Sequence, residues 1–146
     1  MNKVSPSARR KARRFAMQGL YQWQMTGTSI KEIEQQFLEE NDMKKVDMQY
    51  FRELLSGVVT QLDTIDETME PLLDRKLSGL DPVTQAILRL SSFELKDRID
   101  IPYRIVINEG IELAKVFGSE DSHRFVNGIL DKLAKEFRQT EVTAKR

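Results

Sequence analysis

The sequence contains no cysteine and only one histidine, which leaves no disulfide framework, no thiolate nucleophile and no cysteine-based metal site. That histidine, His123, stands beside Asp121 and Ser122. Adjacent residues on a helix point in different directions, so the three cannot form a proton relay, and a surface or capping histidine is expected. The seven glycines are scattered, and none builds a phosphate-cradling loop. No apolar run approaches the ~20 residues that cross a bilayer, and no signal-peptide pattern precedes the first helical stretch. The expectation is a cytoplasmic protein. Strand-like alternation and repeats of fixed period are also missing, which leaves an all-α reading of about seven helices. Glu109 and Glu112 lie one helical turn apart, but without a third ligand nearby in sequence they are expected to hydrogen-bond helix ends. Nothing here assembles an enzyme, and no cofactor or metal is expected.

What is present is charge, unevenly placed. The 146 residues carry no net charge and suffice for one domain with a real core. Residues 1–14 hold Lys3, Arg9, Arg10, Lys11, Arg13 and Arg14 with no acid, whereas residues 29–70 hold eleven acidic residues against four basic ones. Residues 1–7 read as a flexible arm, with Ser5 or Ser7 free to cap a helix running from Ala8 to Gln24. Ala8, Ala12, Phe15, Ala16, Gly19, Leu20 and Trp23 recur at spacings of three and four and form its buried stripe. Arg10 and Arg14 point the opposite way, Arg9 and Arg13 lie at the edge, and Tyr21 falls between Arg10 and Arg14 in angle. A solvated face usually mixes signs, because like charges one turn apart repel. Five basic residues within six positions therefore favour a polyanion site over a plain surface. For Tyr21 the spacing leaves packing and base stacking equally open.

The remaining helices announce themselves by caps. Ser29 with Glu32 opens a short helix that turns Ile30, Ile33, Phe37 and Leu38 inward. Asp47 caps a long one through Leu54, Leu55, Val58, Val59 and Leu62, whose periodicity runs on to Met69 and stops or kinks before Pro71, with Asp63 or Asp66 able to cap a separate short helix there. Asp81-Pro82 starts the next, carrying Val83, Ala86, Ile87, Leu90 and Leu95. From Pro102 to Phe117 apolar residues cover most of a helix circumference, which predicts a central, buried element. Gly118 is expected in the left-handed conformation, Ser119 as the next cap, and Glu120 and Asp121 in the first turn of a helix ending near Phe137. A single helical domain over 8–138 and a flexible tail over 139–146 complete the expected layout.

The run INEGIELAKVFGSEDSHRFVNGILDKL resembles the C-terminal signature of the NusB family of bacterial transcription antitermination factors. Asn108, Glu109, Glu112, Leu113, Ala114, Lys115, Phe117, Phe125, Val126, Asn127, Gly128, Leu130 and Asp131 match it, and Gly110 departs where the family usually has alanine. The opening ARRKARRFAMQGLYQWQ and the segments DMQYFRELLSGV, LDPVTQAILRLSSFEL and IPYRIVINE are similar to the family's other blocks. The resemblance implies two roughly perpendicular three-helix bundles sharing the N-terminal helix. It also implies a non-enzymatic role: binding the single-stranded boxA element of nascent ribosomal RNA transcripts together with ribosomal protein NusE, in the company of RNA polymerase and other Nus factors. By matching position it places Arg9, Arg10, Lys11, Arg13, Tyr21, Asp121 and Phe125 on the RNA side. Phe125 otherwise reads as core, and Asp121 would orient or limit binding rather than drive it. A NusE surface is implied near Leu72, Asp74, Arg75 and Thr84, where Thr84 replaces an acidic residue frequent in the family. Two rivals remain: the RNA-binding half of a ribosomal RNA cytosine methyltransferase, whose catalytic half is not seen here, and a helical adaptor that binds only proteins.

Overall fold

The computed structural model describes residues 5–144, so the first four positions of the expected arm and the last two of the expected tail lie outside the described residues. Eight α-helices follow one another: α1 (Pro6–Thr26), α2 (Ile30–Glu40), α3 (Met48–Thr60), α4 (Leu62–Met69), α5 (Pro82–Asp97), α6 (Tyr103–Phe117), α7 (Ser122–Phe137) and α8 (Gln139–Ala144). Short 3-10 turns at Glu70–Leu72 and Leu77–Gly79 bridge α4 to α5. No strand forms among the described residues, and no helix there is long and apolar enough to cross a membrane.

Caps set most boundaries. Ser5 Oγ accepts from the Ala8 amide at 3.0 Å and Pro6 takes the first helical position, so α1 starts two residues before the expected Ala8. Gly27, at φ 72°, closes α1 in the left-handed conformation that only glycine adopts without cost. Asp47 and Asp81 accept from the amides of Tyr50 and Thr84, and Ser29 from that of Glu32. The long periodic stretch after Asp47 is divided at Gln61, which leaves helical geometry between α3 and α4 and accepts a 2.6 Å hydrogen bond from Lys96 Nζ.

The helices sort into two packed sets. In one, α1, α2 and α3 touch one another; in the other, α5, α6 and α7 do, and α1 meets α5 along the seam. The centre is α5 rather than the α6 expected from apolar content. Ten consecutive or near-consecutive residues of α5, from Thr84 to Leu95, are buried, and it touches α1, α3, α4, α6 and α7. Its small Ala86, Ser91 and Ser92 let neighbours approach from every side, a signal that hydrophobic periodicity undercounts. By contrast α6 leaves Ile105 and Val116 in solvent, and Leu38 of α2, expected inward, is also exposed.

The corner between α6 and α7 differs from its sequence reading. Gly118 is extended, not left-handed. A side chain there would meet Ser122 Oγ at 2.1 Å and the Ala114 carbonyl at 2.7 Å, so close approach rather than backbone freedom calls for glycine. Ser119 does not cap by its side chain; its carbonyl accepts from Ser122 Oγ at 2.9 Å, and α7 begins only at Ser122. Glu120 and Asp121 therefore precede the helix instead of occupying its first turn. Gly110 allows α6 to press against both partners, since an added Cβ would sit 2.7 Å from Leu130 Cδ1 and 2.9 Å from Ser91 Oγ.

Past α7, Arg138 is buried and donates to the carbonyls of Leu95, Ile101, Glu94 and Arg98 at 2.6–3.2 Å. It thereby supplies a cation to the unsatisfied C-terminal end of α5. Residues 139–146, expected as tail, include α8, whose Glu141 accepts from Arg138 at 2.6 Å and from the Tyr103 amide at 2.9 Å.

Candidate nucleic-acid interface

The basic run on α1 is divided by helical angle. Arg13 stands one turn before Met17 and two before Leu20, both enclosed, and its own side chain is only 4% exposed. It is therefore enclosed, rather than at the edge of the basic face where its helical angle was expected to put it. Its Nε donates to both carboxylate oxygens of Glu94, at 2.8 and 3.1 Å, and Nη1 lies 3.6 Å from Glu109. The Tyr50 hydroxyl donates to Glu94 as well, and Tyr50's ring lies under the guanidinium groups of Arg9, Arg13 and Arg98. Burial pushes the Glu94 carboxyl above its ordinary range, while Arg13 and the Tyr50 hydroxyl pull it back. Burial and the Glu94 carboxylate both push the Tyr50 hydroxyl up, keeping it a donor. Glu109, expected at a helix end, instead faces Arg13 and accepts from Arg10 at 3.1–3.3 Å.

Arg9 and Arg10 sit at the rim of this network. Arg10 is half exposed, with Glu109 on one side. Arg9 Nε is 3.6 Å from Asp47, too long for a hydrogen bond, and has no hydrogen-bond partner. Both line a recess of about 340 Å³ that runs to Pro102, Ile105 and Asn108 at the start of α6.

Lys11 and Arg14 do not line that recess. They line a groove with Gln18, Phe117 and the 41–46 loop, and Gln18 and Phe117 are shared with a second groove lined by Tyr21, Met25, Phe37 and Val83. Tyr21 is 38% exposed, and its ring takes part in no aromatic pair among the described residues. Beyond Val83, the next residue, Thr84, lines a third hollow together with Asp121, Ser122, Phe125 and Arg75. Thus Lys11 and Tyr21 line adjoining grooves, Asp121 and Phe125 line a separate hollow linked to them by the sequence neighbours Val83 and Thr84, and Arg9 and Arg10 line the recess at the start of α6. Phe125 is half-buried, between the core and surface readings, and the Arg75 guanidinium lies 5.9 Å from its ring centre.

Of the residues expected at the partner surface, Arg75 and Thr84 line the Phe125 hollow and Asp74 lines a neighbouring cavity, whereas Leu72 lines neither. Asp74 and Arg75 form an exposed pair at 3.0 Å, which holds the Asp74 carboxyl below its ordinary range. Thr84 is nearly enclosed; its hydroxyl donates back to Asp81 at 2.7 Å, so the position offers no outward charge. Leu72 is half-buried in the first 3-10 turn. Arg75 joins the Phe125 hollow to a wider cavity of about 690 Å³ lined by Asp66, Glu70, Asp74, Lys76, Gln85 and Arg89.

Sequence reasoning did not single out Glu94, Tyr50 or Gln18, and took Phe117 as a helix end and a family match rather than as part of an interface. The Arg13–Glu94 pair joins residues 81 positions apart, and only the placement of Arg13 on the Met17–Leu20 side hinted that it needed a buried acid. Among the described residues no group of three or more His, Asp or Glu side chains is placed to hold a metal ion.

Comparison with known proteins adds an independent line. Residues 10–135 match the model of the NusB family. The chain is 58% identical over 145 residues to the transcription antitermination protein NusB of Alcanivorax borkumensis, covering 99% of this chain and 97% of that protein. Its fold matches that of T. maritima NusB with a TM-score of 0.83 at 32% identity, over 97% of this chain and 99% of the other. It also matches a chain from a crystal structure of antitermination factors NusB and NusE in complex with double-stranded RNA, with a TM-score of 0.82 at 27% identity, over 91% of this chain and all of that one.

Proposed function

We propose that this chain, which belongs to the NusB family, is a transcription antitermination factor. It binds the boxA element of nascent ribosomal RNA operon transcripts together with ribosomal protein NusE. In that complex it keeps RNA polymerase, with the other Nus factors, reading through terminators. The work is recognition and tethering, without catalysis or cofactor.

The observation that carries this reading is the pair of adjoining grooves that hold Lys11 and Tyr21, with Asp121 and Phe125 together in a further hollow. Lys11 meets phosphate, and so do Arg9 and Arg10 at the α1 N-terminal end, Arg10 by exchanging Glu109 for the incoming anion. Tyr21 and Phe125 stack on bases, which requires unpaired RNA because a duplex hides base faces. Asp121 repels phosphate and so orients the strand. Arg13 acts from behind: enclosed against Glu94 and Tyr50, it fixes α1 and is a positioning residue. NusE docks on the cavity that Arg75 shares with the Phe125 hollow, around Leu72, Asp74, Arg75 and Thr84. Contact between RNA and protein partner across Arg75 and Phe125 then accounts for joint binding.

The test is fluorescence anisotropy with a boxA RNA and a scrambled control, with and without NusE, across a salt series. Tighter and sequence-selective binding on adding NusE is expected. Equal binding of both RNAs, indifferent to NusE, contradicts the proposal and leaves a helical adaptor with a generic basic face.

A further inference from the structure

The groove that holds Lys11 also takes in Arg14 and Lys45, to which neither the comparisons nor the function just described gives a role. We propose that the groove between α1 and the 41–46 loop is a phosphate track, on which Arg14 and Lys45 join Lys11 to hold the backbone of the RNA strand leaving Tyr21. The proposal rests on the RNA-binding reading above and extends its footprint.

Three observations carry it. First, Lys11, Arg14 and Lys45 converge on one groove of about 420 Å³, although Lys45 comes from a different segment of chain. Second, none of the three makes an ion pair among the described residues, while Arg9, Arg10 and Arg13 on the same helix each face a carboxylate. Converging like charges repel, and an anion brought from outside relieves that repulsion. Third, the groove shares Gln18 and Phe117 with the one that Tyr21 lines. A chain of alternating phosphates and bases fits a basic lip beside an exposed ring better than an acidic peptide, which would gain nothing from Tyr21. The one acid in the lining, Asp42, turns an oxygen toward the Lys44 amide at 3.0 Å. It weakens the track without closing it.

The experiment compares the full-length protein with its Arg14→Gln/Lys45→Gln and Asp42→Asn variants, all checked for unchanged thermal unfolding. Each is titrated with boxA RNA extended by a few unpaired nucleotides on both sides, in the presence of NusE, and separately with NusE alone. The double variant is expected to bind RNA about tenfold more weakly, with the slope of log K against log salt shallower by about 1.4, at ~0.7 per lost single-strand contact. Asp42→Asn is expected to tighten binding about twofold to threefold by removing one repulsive charge. NusE binding alone should not change in either. If the parent protein selects boxA but the double variant keeps its affinity and slope, the track is wrong and the function stands. Loss of NusE binding with an unchanged RNA slope means that the groove takes an acidic protein segment, which also overturns the track. A parent protein that does not select boxA overturns both.

Discussion

Arg13 and Arg14 are consecutive, chemically identical and on one helix, yet they live in opposite surroundings. Arg13 is enclosed with Glu94, Tyr50 and Glu109, each satisfying another. Arg14 stands in solvent with no ion pair among the described residues. One residue turns a helix position by 100°, enough to carry a side chain from the seam with α5 to the open face. The lesson is that a basic run on a helix is not one feature. Its members on the apolar side organise the core through buried acids, and the rest are left for a polyanion.

The contrast predicts that variants separate into those that harm the fold and those that harm binding. Removing the enclosed cation should have the largest effect. Arg13→Ala leaves the Glu94 carboxylate buried without its ion-pair partner, a change that costs about 3–5 kcal/mol. Chemical denaturation should show that loss directly, and any fall in RNA binding should follow the fraction unfolded. An Arg13→Ala protein that unfolds like the parent would break the comparison from the buried side. Next comes the exposed ring. Tyr21→Ala should weaken boxA binding by about tenfold, within the ~1–3 kcal/mol typical of base stacking, while the unfolding midpoint stays put. A shifted midpoint with unchanged RNA affinity would return Tyr21 to a packing role.

The smallest effect expected concerns acid. Arg98 donates to Asp100 through two hydrogen bonds at 3.0 Å and holds that carboxyl below its ordinary value. A depressed carboxyl contributes stability above its unfolded pKa and loses it as pH falls through the folded one. Because the Asp100 side chain is largely exposed, solvent screening limits the contribution to about 0.5 kcal/mol or less. Denaturation of Asp100→Asn at neutral pH should show that small deficit, and the gap from the parent should close toward strongly acidic pH. A gap that widens on acidification has the wrong sign.

Much of the fold was legible because caps and turns are local. Ser29, Asp47, Asp81 and Pro71 act within a few residues of themselves, and the helices begin or end where those residues direct. What sequence reading misplaced depends on distant chain. The central place of α5 follows from small residues that admit five neighbouring helices, which no periodicity measures. The extended Gly118 answers to Ser122 and Ala114, not to its own φ preference. For the candidate interface, residue types and the helical face of Tyr21 could be read, since angle alone sets them. That Glu94 would claim Arg13, and that Lys45 would come to stand beside Arg14, required the packed structure.

The most direct test of this division is arginine-selective chemical labelling of the native protein, read residue by residue by mass spectrometry. Arg14 should modify rapidly, and Arg13 only under conditions that unfold the chain. Labelling of Arg13 in the native state at a rate close to that of Arg14 would contradict the account.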